Sequence, residues 1–163
     1  MNYSNANVRR QDRLLDEATA LQLLKTAEYG VLSMSCNDNG AYGLPINYAW
    51  DGVKSIYLHC APEGRKLKCI EENNKVSFCI VGKTNVMPDK FSTEYESIIL
   101  ECLAYKQLPS EERMQALVLL LEKYSPNDKE KGVKYAENSF SRTEIIRLDI
   151  INWSGKCKRM INT

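Results

Sequence analysis

The sequence predicts an α+β fold that is mainly β, a small antiparallel barrel of six strands with peripheral helices. Two observations carry this prediction. Apolar and polar residues alternate over several short runs, as they do in half-buried strands. The first of these runs are joined by hairpin turns and not by helical crossovers, which favours an antiparallel sheet over a parallel one.

Length and charge limit the possible partners. The chain has 163 residues, 44% of them hydrophobic, so one domain can bury a core without disulfides or a structural metal. We expect a single domain over 1–163, with an N-terminal arm over 1–13 and a mobile, polar and helical insert over 126–142. The formal net charge is +1, so no overall field attracts a polyanion, and we expect neither nucleic acid nor a membrane surface as a partner.

The start of the chain carries no apolar segment of the secretory type, and no run approaches the roughly 18 apolar residues of a membrane span. We therefore expect a cytoplasmic location. The six cysteines contain no CxxC pair and none lies at zinc-site spacing, so we expect no metal and interpret them as small buried hydrophobes in a reducing compartment.

The first half of the chain is predicted to form a helix and then a three-stranded meander. Leu21 and Leu24 recur at helical spacing after Asp16, an N-cap type of residue. Asp51-Gly52 is the strongest short hairpin signal, and Pro45 implies an edge position or a bulge because a proline cannot donate to a ladder. The predicted helix covers 16–27, and the strands cover 29–36, 41–50 and 53–60, with a hairpin turn over 37–40.

In the second half, helical and strand patterns follow one another. Leu67 and Ile70 are three residues apart after Pro62, which suits a helix start. Glu111 and Glu112 place acids in the first turn of the clearest helix, as the helix dipole favours. The predicted helices cover 62–72, 110–125 and 129–138, and the strands cover 75–81, 93–105 and 144–151.

Strong enzyme motifs are missing from the sequence, which contains no GxSxG, GxxxxGK[ST], HExxH or GxGxxG. The only histidine, His59, precedes Cys60. Adjacent residues of a strand point to opposite faces, so the two cannot form a nucleophile and base pair without a bulge. We therefore reject a hydrolase of the Cys-His type.

The segment 56–69 is the strongest functional candidate. It passes from a strand through a turn containing Gly64 into a helix that begins with Arg65 and Lys66. Backbone N–H groups and cations would converge there on an anion, and Gly64 would allow a phosphate to approach closely. A basic, solvated helix face is the alternative interpretation.

This segment resembles the strand–helix signature of flavin-binding split barrels related to pyridoxamine 5'-phosphate oxidase. Within them it resembles the group of 5-nitroimidazole resistance (Nim) proteins, whose pattern His-x-Ala-x-x-Gly-x-Lys is matched by His59, Ala61, Gly64 and Lys66. The resemblance extends in family order over about 8–158. It also includes the stretches Val8-Arg9-Arg10-Gln11-Asp12-Arg13, Tyr29-Gly30-Val31-Leu32-Ser33, Leu44-Pro45-Ile46-Asn47-Tyr48, Tyr95-Glu96-Ser97-Ile98-Ile99 and Ser154-Gly155-Lys156.

The resemblance implies a homodimer of six-stranded split β-barrels with FMN in a groove at the subunit interface. Lys66 is the first choice as counter-charge to the FMN phosphate and Arg65 the second, with a solvent-exposed helix residue as the alternative for Arg65. Ser97 would reach the phosphate or the ribityl chain, and Trp153 would either cover the flavin or cap the barrel. The residues expected along the groove are Pro45, Ile46, Asn47, Tyr48, Tyr57, Leu58 and His59.

His59 is the catalytic candidate, since in Nim-like proteins the matching histidine lies near the flavin and an imidazole titrates near neutrality. A satisfied structural histidine is the alternative. The leading functional hypothesis is an FMN-dependent reductase of nitroimidazole-like or other small electron-poor compounds, supplied by a nicotinamide or another electron donor.

Two other functions stay open, a flavin-binding or storage protein without a substrate and a haem-binding split barrel with His59 as axial ligand. Vitamin B6 oxidation is disfavoured because the arginine-rich substrate motif of those oxidases is not found after Lys156.

Overall fold

The alternating segments assemble into one antiparallel sheet with helices around it. The computed structural model describes residues 1–37 and 40–159. Its strands are β1 (Asn2–Tyr3), β2 (Tyr29–Cys36), β3 (Gly40–Asn47), β4 (Ala49–Trp50), β5 (Ser55–Cys60), β6 (Lys75–Met87), β7 (Ser92–Tyr105) and β8 (Glu144–Lys158). Its α-helices are α1 (Glu17–Thr26), α2 (Arg65–Glu72), α3 (Ser110–Tyr124) and α4 (Lys129–Ser139).

The strand order is β3-β2-β6-β7-β8-β5-β4, all antiparallel, and β1 joins the edge of β8 in parallel. The predicted class, α+β and mainly antiparallel, is confirmed. The predicted number of six strands is wrong, since the described residues form eight. Of the predicted turn over 37–40, Asp38 and Asn39 lie outside the described residues, while Cys36 and Gly40 pair across the hairpin.

The first additional strand, β1, lies in the predicted N-terminal arm, and the second, β4, arises because the predicted strand 41–50 breaks at Tyr48. The Tyr48 N–H donates to the Tyr124 hydroxyl (3.1 Å), and the Tyr48 carbonyl accepts from Lys123 Nζ (2.9 Å). Both backbone groups are thus satisfied by α3, and the ladder does not continue through this residue. Burial beside Tyr48 lowers the pKa of Lys123 to about 8.

A row of large side chains crosses the sheet and forms the centre of the core. Leu32 pairs with Phe78, Phe78 with Leu100, and Leu100 with Trp153, and each of the four is at most 2% exposed. Gly30 is required beside this row, because a Cβ there would lie 2.2 Å from the Phe78 ring. Register shifts at Val81/Thr84 and at Glu101/Cys102 bend the long strands, as bulges do in curved sheets.

The helices begin and end close to the predicted residues. Asp16 caps α1 by accepting a hydrogen bond from the Thr19 N–H (2.9 Å), as its residue type predicts. The helix α3 packs on a second apolar cluster that contains Ala49, Ala116 and Ile145. The predicted insert forms α4 between two short 3-10 turns. Within the described residues no helix has the length and apolar character needed to cross a membrane.

The interpretation of all six cysteines as unpaired hydrophobes is wrong for two of them. Cys36 and Cys69 form a disulfide, because α2 packs on β2 and brings their Cα atoms to 4.7 Å, within the usual disulfide range. Cys102 is buried and free, as expected, whereas the free cysteines 60, 79 and 157 are partly exposed. The 33-residue separation of the bonded pair carries no recognisable spacing motif.

Candidate functional site

The junction between β5 and α2 has the local geometry of an anion site. Gly64 adopts φ 139°, in the region that favours glycine, and precedes Arg65, the first residue of α2. No side chain among the described residues caps this helix. The first intrahelical bond runs from Lys68 N–H to the Gly64 carbonyl (3.4 Å), so the preceding N–H groups face outward at the helix start.

Two cations stand at this junction. Arg65 is exposed and its guanidinium carbon lies 4.2 Å from the centroid of the Tyr42 ring. Lys66 is half-buried, and its ammonium is close enough to interact with both His59 and Cys60. Within 1–37 and 40–159 neither cation forms an ion pair with a carboxylate. Two unpaired cations beside free N–H groups fit a phosphate.

His59 lies on the face of β5 that points away from the barrel core, opposite Ile145 of β8. The residue is exposed, yet protein surrounds enough of the ring for desolvation, and secondarily the charge of Lys66, to lower its pKa. The imidazole is therefore neutral at pH 7 and offers a nitrogen lone pair at the surface.

Cys60 points the other way and packs against the core, where burial raises the pKa of its thiol. The thiol therefore stays protonated near neutral pH and is a poor nucleophile. The opposite orientations of His59 and Cys60 are those expected for adjacent strand residues.

Of the predicted groove residues on β3, Pro45 and Asn47 are exposed and Ile46 is half-buried against the core. The Asn47 amide donates to the Glu28 carbonyl (2.9 Å). Tyr48 is a correction to the predicted groove. Its side chain is fully buried and its hydroxyl donates to the Leu24 carbonyl (2.6 Å), so it belongs to the core.

The predicted residues on β5 divide between two faces. Tyr57 points toward α3 and donates to Glu112 Oε1 (3.1 Å), and burial together with this carboxylate raises its pKa to about 12. Leu58 is 0% exposed and lies in the core, so its side chain does not line a groove. Glu112 also accepts from Arg147 (2.8 Å), which fixes the carboxylate that holds Tyr57.

Ser97 and Trp153 lie elsewhere. Trp153 is 2% exposed and packs edge-on against Tyr3 at 4.6 Å, so its ring belongs to the core and does not cover a surface ligand in this chain. Ser97 pairs with Lys156, whereas His59 pairs with Ile145, eleven residues earlier on β8. That separation is about 36 Å of strand. One chain therefore does not bring Ser97 to the junction of β5 and α2.

Sequence reasoning missed Tyr42 as the partner of Arg65. The one feature of the sequence that pointed to Tyr42 was the alternation that places Tyr42, Leu44 and Ile46 on one face of β3. It also missed a polar cavity of about 460 Å³ between the N-terminal arm and β7–β8, lined by Asn7, Ser97 and Lys156 among others. In the described part of the chain no three His, Cys, Asp or Glu side chains are placed to hold a metal ion.

Comparison with known proteins identifies similar chains. The family model described as pyridoxamine 5'-phosphate oxidase matches residues 16–157. No curated protein sequence matches the chain.

Several solved structures share the fold. A candidate 5-nitroimidazole antibiotic resistance protein from Bacteroides thetaiotaomicron has a TM-score of 0.71 at 17% identity, over 89% of this chain and 86% of that one. The FAD and heme binding protein from Mycobacterium smegmatis has a TM-score of 0.75 at 16% identity, over 92% and 75%. An FAD-binding protein from Mesorhizobium loti has a TM-score of 0.62 at 18% identity, over 90% and 98%.

Proposed function

The chain belongs to the pyridoxamine 5'-phosphate oxidase family, and from this membership we propose that it is a flavin-binding oxidoreductase. The observation that carries the proposal is the pair of cations, Arg65 and Lys66, at the start of α2. They stand without ion-pair partners among the described residues, next to the outward N–H groups that follow Gly64. The exposed, neutral His59 lies beside them.

FMN is the flavin we propose for this site. Its phosphomonoester concentrates a charge of about −1.5 to −2 at neutral pH on one terminal group, which two cations and several N–H donors at a helix start can surround. The Mesorhizobium loti and Mycobacterium smegmatis proteins are named as FAD-binding, so the flavin that this protein retains has to be identified directly. A bound flavin supplies hydride or electron transfer, and the protein positions it.

We further propose that the site is completed in a homodimer. Ser97 of β7 pairs with Lys156 of β8, eleven residues along β8 from Ile145, the partner of His59, so a second copy would have to bring such groups to the junction of β5 and α2. The sheet face that points away from the core, here called the outer face, is defined by Val31, Cys79, Val81, Ile99 and Ser154. Val81 and Ile99 on this face are 57% and 48% exposed.

A cavity of about 690 Å³ runs along the same outer face, lined by Ser77, Leu103 and Ile151 among others. An exposed apolar band of this kind is typical of a surface that is covered in the assembled protein.

In the proposed reaction His59 exchanges a proton with the substrate. Its neutral ring offers an unprotonated nitrogen for proton exchange, and its exposure leaves room for a small molecule beside the flavin. The proposed substrates are small electron-poor compounds such as 5-nitroimidazoles, in line with the description of the Bacteroides thetaiotaomicron protein. A nicotinamide cofactor is the proposed electron donor.

One observation favours a second candidate, haem binding. A neutral, exposed imidazole is suited to act as an axial iron ligand, and the Mycobacterium smegmatis protein is named as binding both FAD and heme. The two candidates differ in their absorption spectra.

The test starts from purified protein incubated with FMN or with haem. We expect bound flavin, identified by chromatography after heat release, and reoxidation of the chemically reduced flavin when a 5-nitroimidazole is added without oxygen. Retention of flavin without reoxidation would favour the binding protein without a substrate. A haem spectrum alone would favour the second candidate, and a colourless protein that takes up neither would overturn both.

A further inference from the structure

The single disulfide of the described residues connects the sheet to the helix that carries the cations. Cys36 is the last residue of β2, and Cys69 lies near the middle of α2, one turn after Arg65. The two cysteines are 6% and 2% exposed. The bond therefore links the buried face of α2 to the sheet, close to the residues of the proposed anion site.

Other contacts between α2 and β2 hold the far end of the helix. The Asn37 N–H donates to Glu72 Oε2 (2.9 Å), and Asn73 Nδ2 donates to Ser35 Oγ (2.9 Å). Both lie at or beyond the last turn of α2, whereas Arg65 contacts the sheet through the ring of Tyr42. If the disulfide opens, the hydrogen bonds still anchor the C-terminal end, while the first turn keeps only the buried side chain of Leu67 and the contact of Arg65 with Tyr42, so it gains the most freedom.

We propose that Cys36 and Cys69 form a reversible redox tether that sets how firmly α2, and with it the anion site at Arg65 and Lys66, is held on the sheet. The regulatory part of this proposal rests on the proposed flavin function. Small thiols and disulfides are the chemical class that would operate the tether.

The exchange is balanced with two equivalents of a small thiol. One thiolate attacks Cys36 Sγ, the Sγ–Sγ bond breaks, and Cys69 leaves as a thiolate that takes up a proton. A second thiolate attacks the small-molecule sulfur of the mixed disulfide, releases the oxidised small disulfide, and leaves Cys36 as a thiol. Two electrons pass from the two small thiols to the protein disulfide, and the reverse sequence restores it.

Access for the attacking thiolate comes from the end of β2. Cys36 is the more exposed of the two sulfur-bearing residues, and the following residue, Asn37, is exposed. A local opening at this strand end exposes the sulfur without unfolding the sheet, as strand termini commonly allow.

Opening the tether is expected to weaken flavin binding. The first turn of α2 would then be mobile in the free protein, and the entropy lost when it is ordered would oppose binding. We expect the FMN dissociation constant to rise three- to tenfold on reduction. We also expect amide hydrogen exchange to become faster at 65–68 and to change less at 70–72, where the hydrogen bonds to β2 remain.

The experiment compares oxidised protein, protein reduced by an excess of glutathione, and the Cys36→Ala/Cys69→Ala variant. Alkylation followed by mass spectrometry counts thiols, with four expected in the oxidised form and six after reduction. FMN fluorescence titration and hydrogen exchange of α2 are then measured on each form. Cys102→Ala is the matched control, since Cys102 is 4% exposed and free, and it should respond to reduction as the wild type does.

The outcomes separate the two proposals. FMN affinity and α2 exchange that are equal in both redox states would overturn the tether while leaving the flavin function intact. Six thiols in protein prepared under air would also overturn it. If FMN binds to neither form, the flavin function fails, and faster exchange at 65–68 on reduction would still support the tether. Should the double variant fail to fold, reduced wild-type protein supplies the same comparison.

Discussion

The Arg65 guanidinium lies 4.2 Å from the centroid of the Tyr42 ring, and this contact joins the first turn of α2 to β3. It places a cation over an aromatic ring at the point where the sheet meets the helix that follows β5. Arg65 thereby keeps its charge unneutralised while its position is restricted, which is the combination an anion site needs.

Tyr42→Leu should weaken FMN binding without removing any charge. An exposed cation–π contact contributes about 0.5–1 kcal/mol, so the dissociation constant should rise about two- to fivefold. Fluorescence titration measures it, with Tyr135→Leu as control because Tyr135 is 73% exposed on α4. Wild-type affinity in the Tyr42 variant would mean that the ring does not orient Arg65 for the ligand.

Lys66→Met should weaken FMN binding more strongly. Loss of a charge-assisted hydrogen bond of about 1.5–3 kcal/mol corresponds to a dissociation constant raised about 10- to 150-fold. The control is Lys68→Met, which removes the same charge from an exposed position two residues along α2. If both variants lose affinity equally, the effect is one of overall charge, and Lys66 makes no direct contact with the phosphate.

His59 should titrate below its ordinary pKa of 6.5, because desolvation and then Lys66 disfavour the imidazolium. As the only histidine, it gives a single pair of imidazole C–H signals, from Cε1 and Cδ2, in a proton NMR titration. Lys66→Met should move the midpoint upward toward the ordinary value, whereas Lys68→Met should leave it in place. A midpoint above 6.5 in the wild type would contradict the environment described for this ring.

The lowered pKa of His59 also makes the free energy of unfolding depend on pH. The folded protein binds the His59 proton less tightly than the unfolded chain, so the contribution of this group is fully present above the unfolded pKa. It is lost progressively as the pH falls through 6.5 toward the lower folded value. Urea unfolding of wild type and His59→Gln between pH 7.5 and 5 measures it, with the difference expected to shrink or reverse toward acid.

Tyr48→Phe tests the correction made to the predicted groove. The Tyr48 hydroxyl donates to the Leu24 carbonyl in the buried core, so its removal should lower the free energy of unfolding by about 1–2 kcal/mol. FMN affinity should not change. Tyr135→Phe, at an exposed site, is the stability control. A flavin defect in Tyr48→Phe with unchanged stability would return this residue to the ligand site.

Element positions followed closely from local patterns. Asp16, Asp51-Gly52 and the acids of α3 act through neighbouring backbone, and their effect does not depend on what packs around them. The break at Tyr48 was not predictable in this way, because it depends on hydrogen bonds from α3, some 75 residues later.

Part of the candidate site was predictable because it, too, depends on residues that are neighbours in the sequence. The signature from His59 to Lys66 is contiguous in sequence, so its residues are adjacent in the fold. The expected groove did not account for side-chain direction, since the side chains of Tyr48 and Leu58 point into the core, as does that of Trp153. The Cys36–Cys69 bond depends on how α2 packs on β2, a long-range contact with no local pattern.

The last prediction concerns the outer face. Ile99→Glu would place a charge in the middle of this face, next to Cys79 and Ser154 in the register. In a homodimer formed across it, the buried carboxylate would have no partner, and burial of an unpaired charge is strongly unfavourable. Light scattering should therefore report half the wild-type mass, and FMN affinity should fall with it.

The matched control is Val53→Glu, which adds the same charge at a residue that is 70% exposed in the β4–β5 turn, away from the outer face. It should keep both the wild-type mass and the wild-type affinity, and circular dichroism should show that both variants are folded. A wild-type mass for Ile99→Glu would place the subunit interface elsewhere. A folded monomer that binds FMN with full affinity would mean that the junction of β5 and α2 suffices, without Ser97 and Lys156 from a second copy.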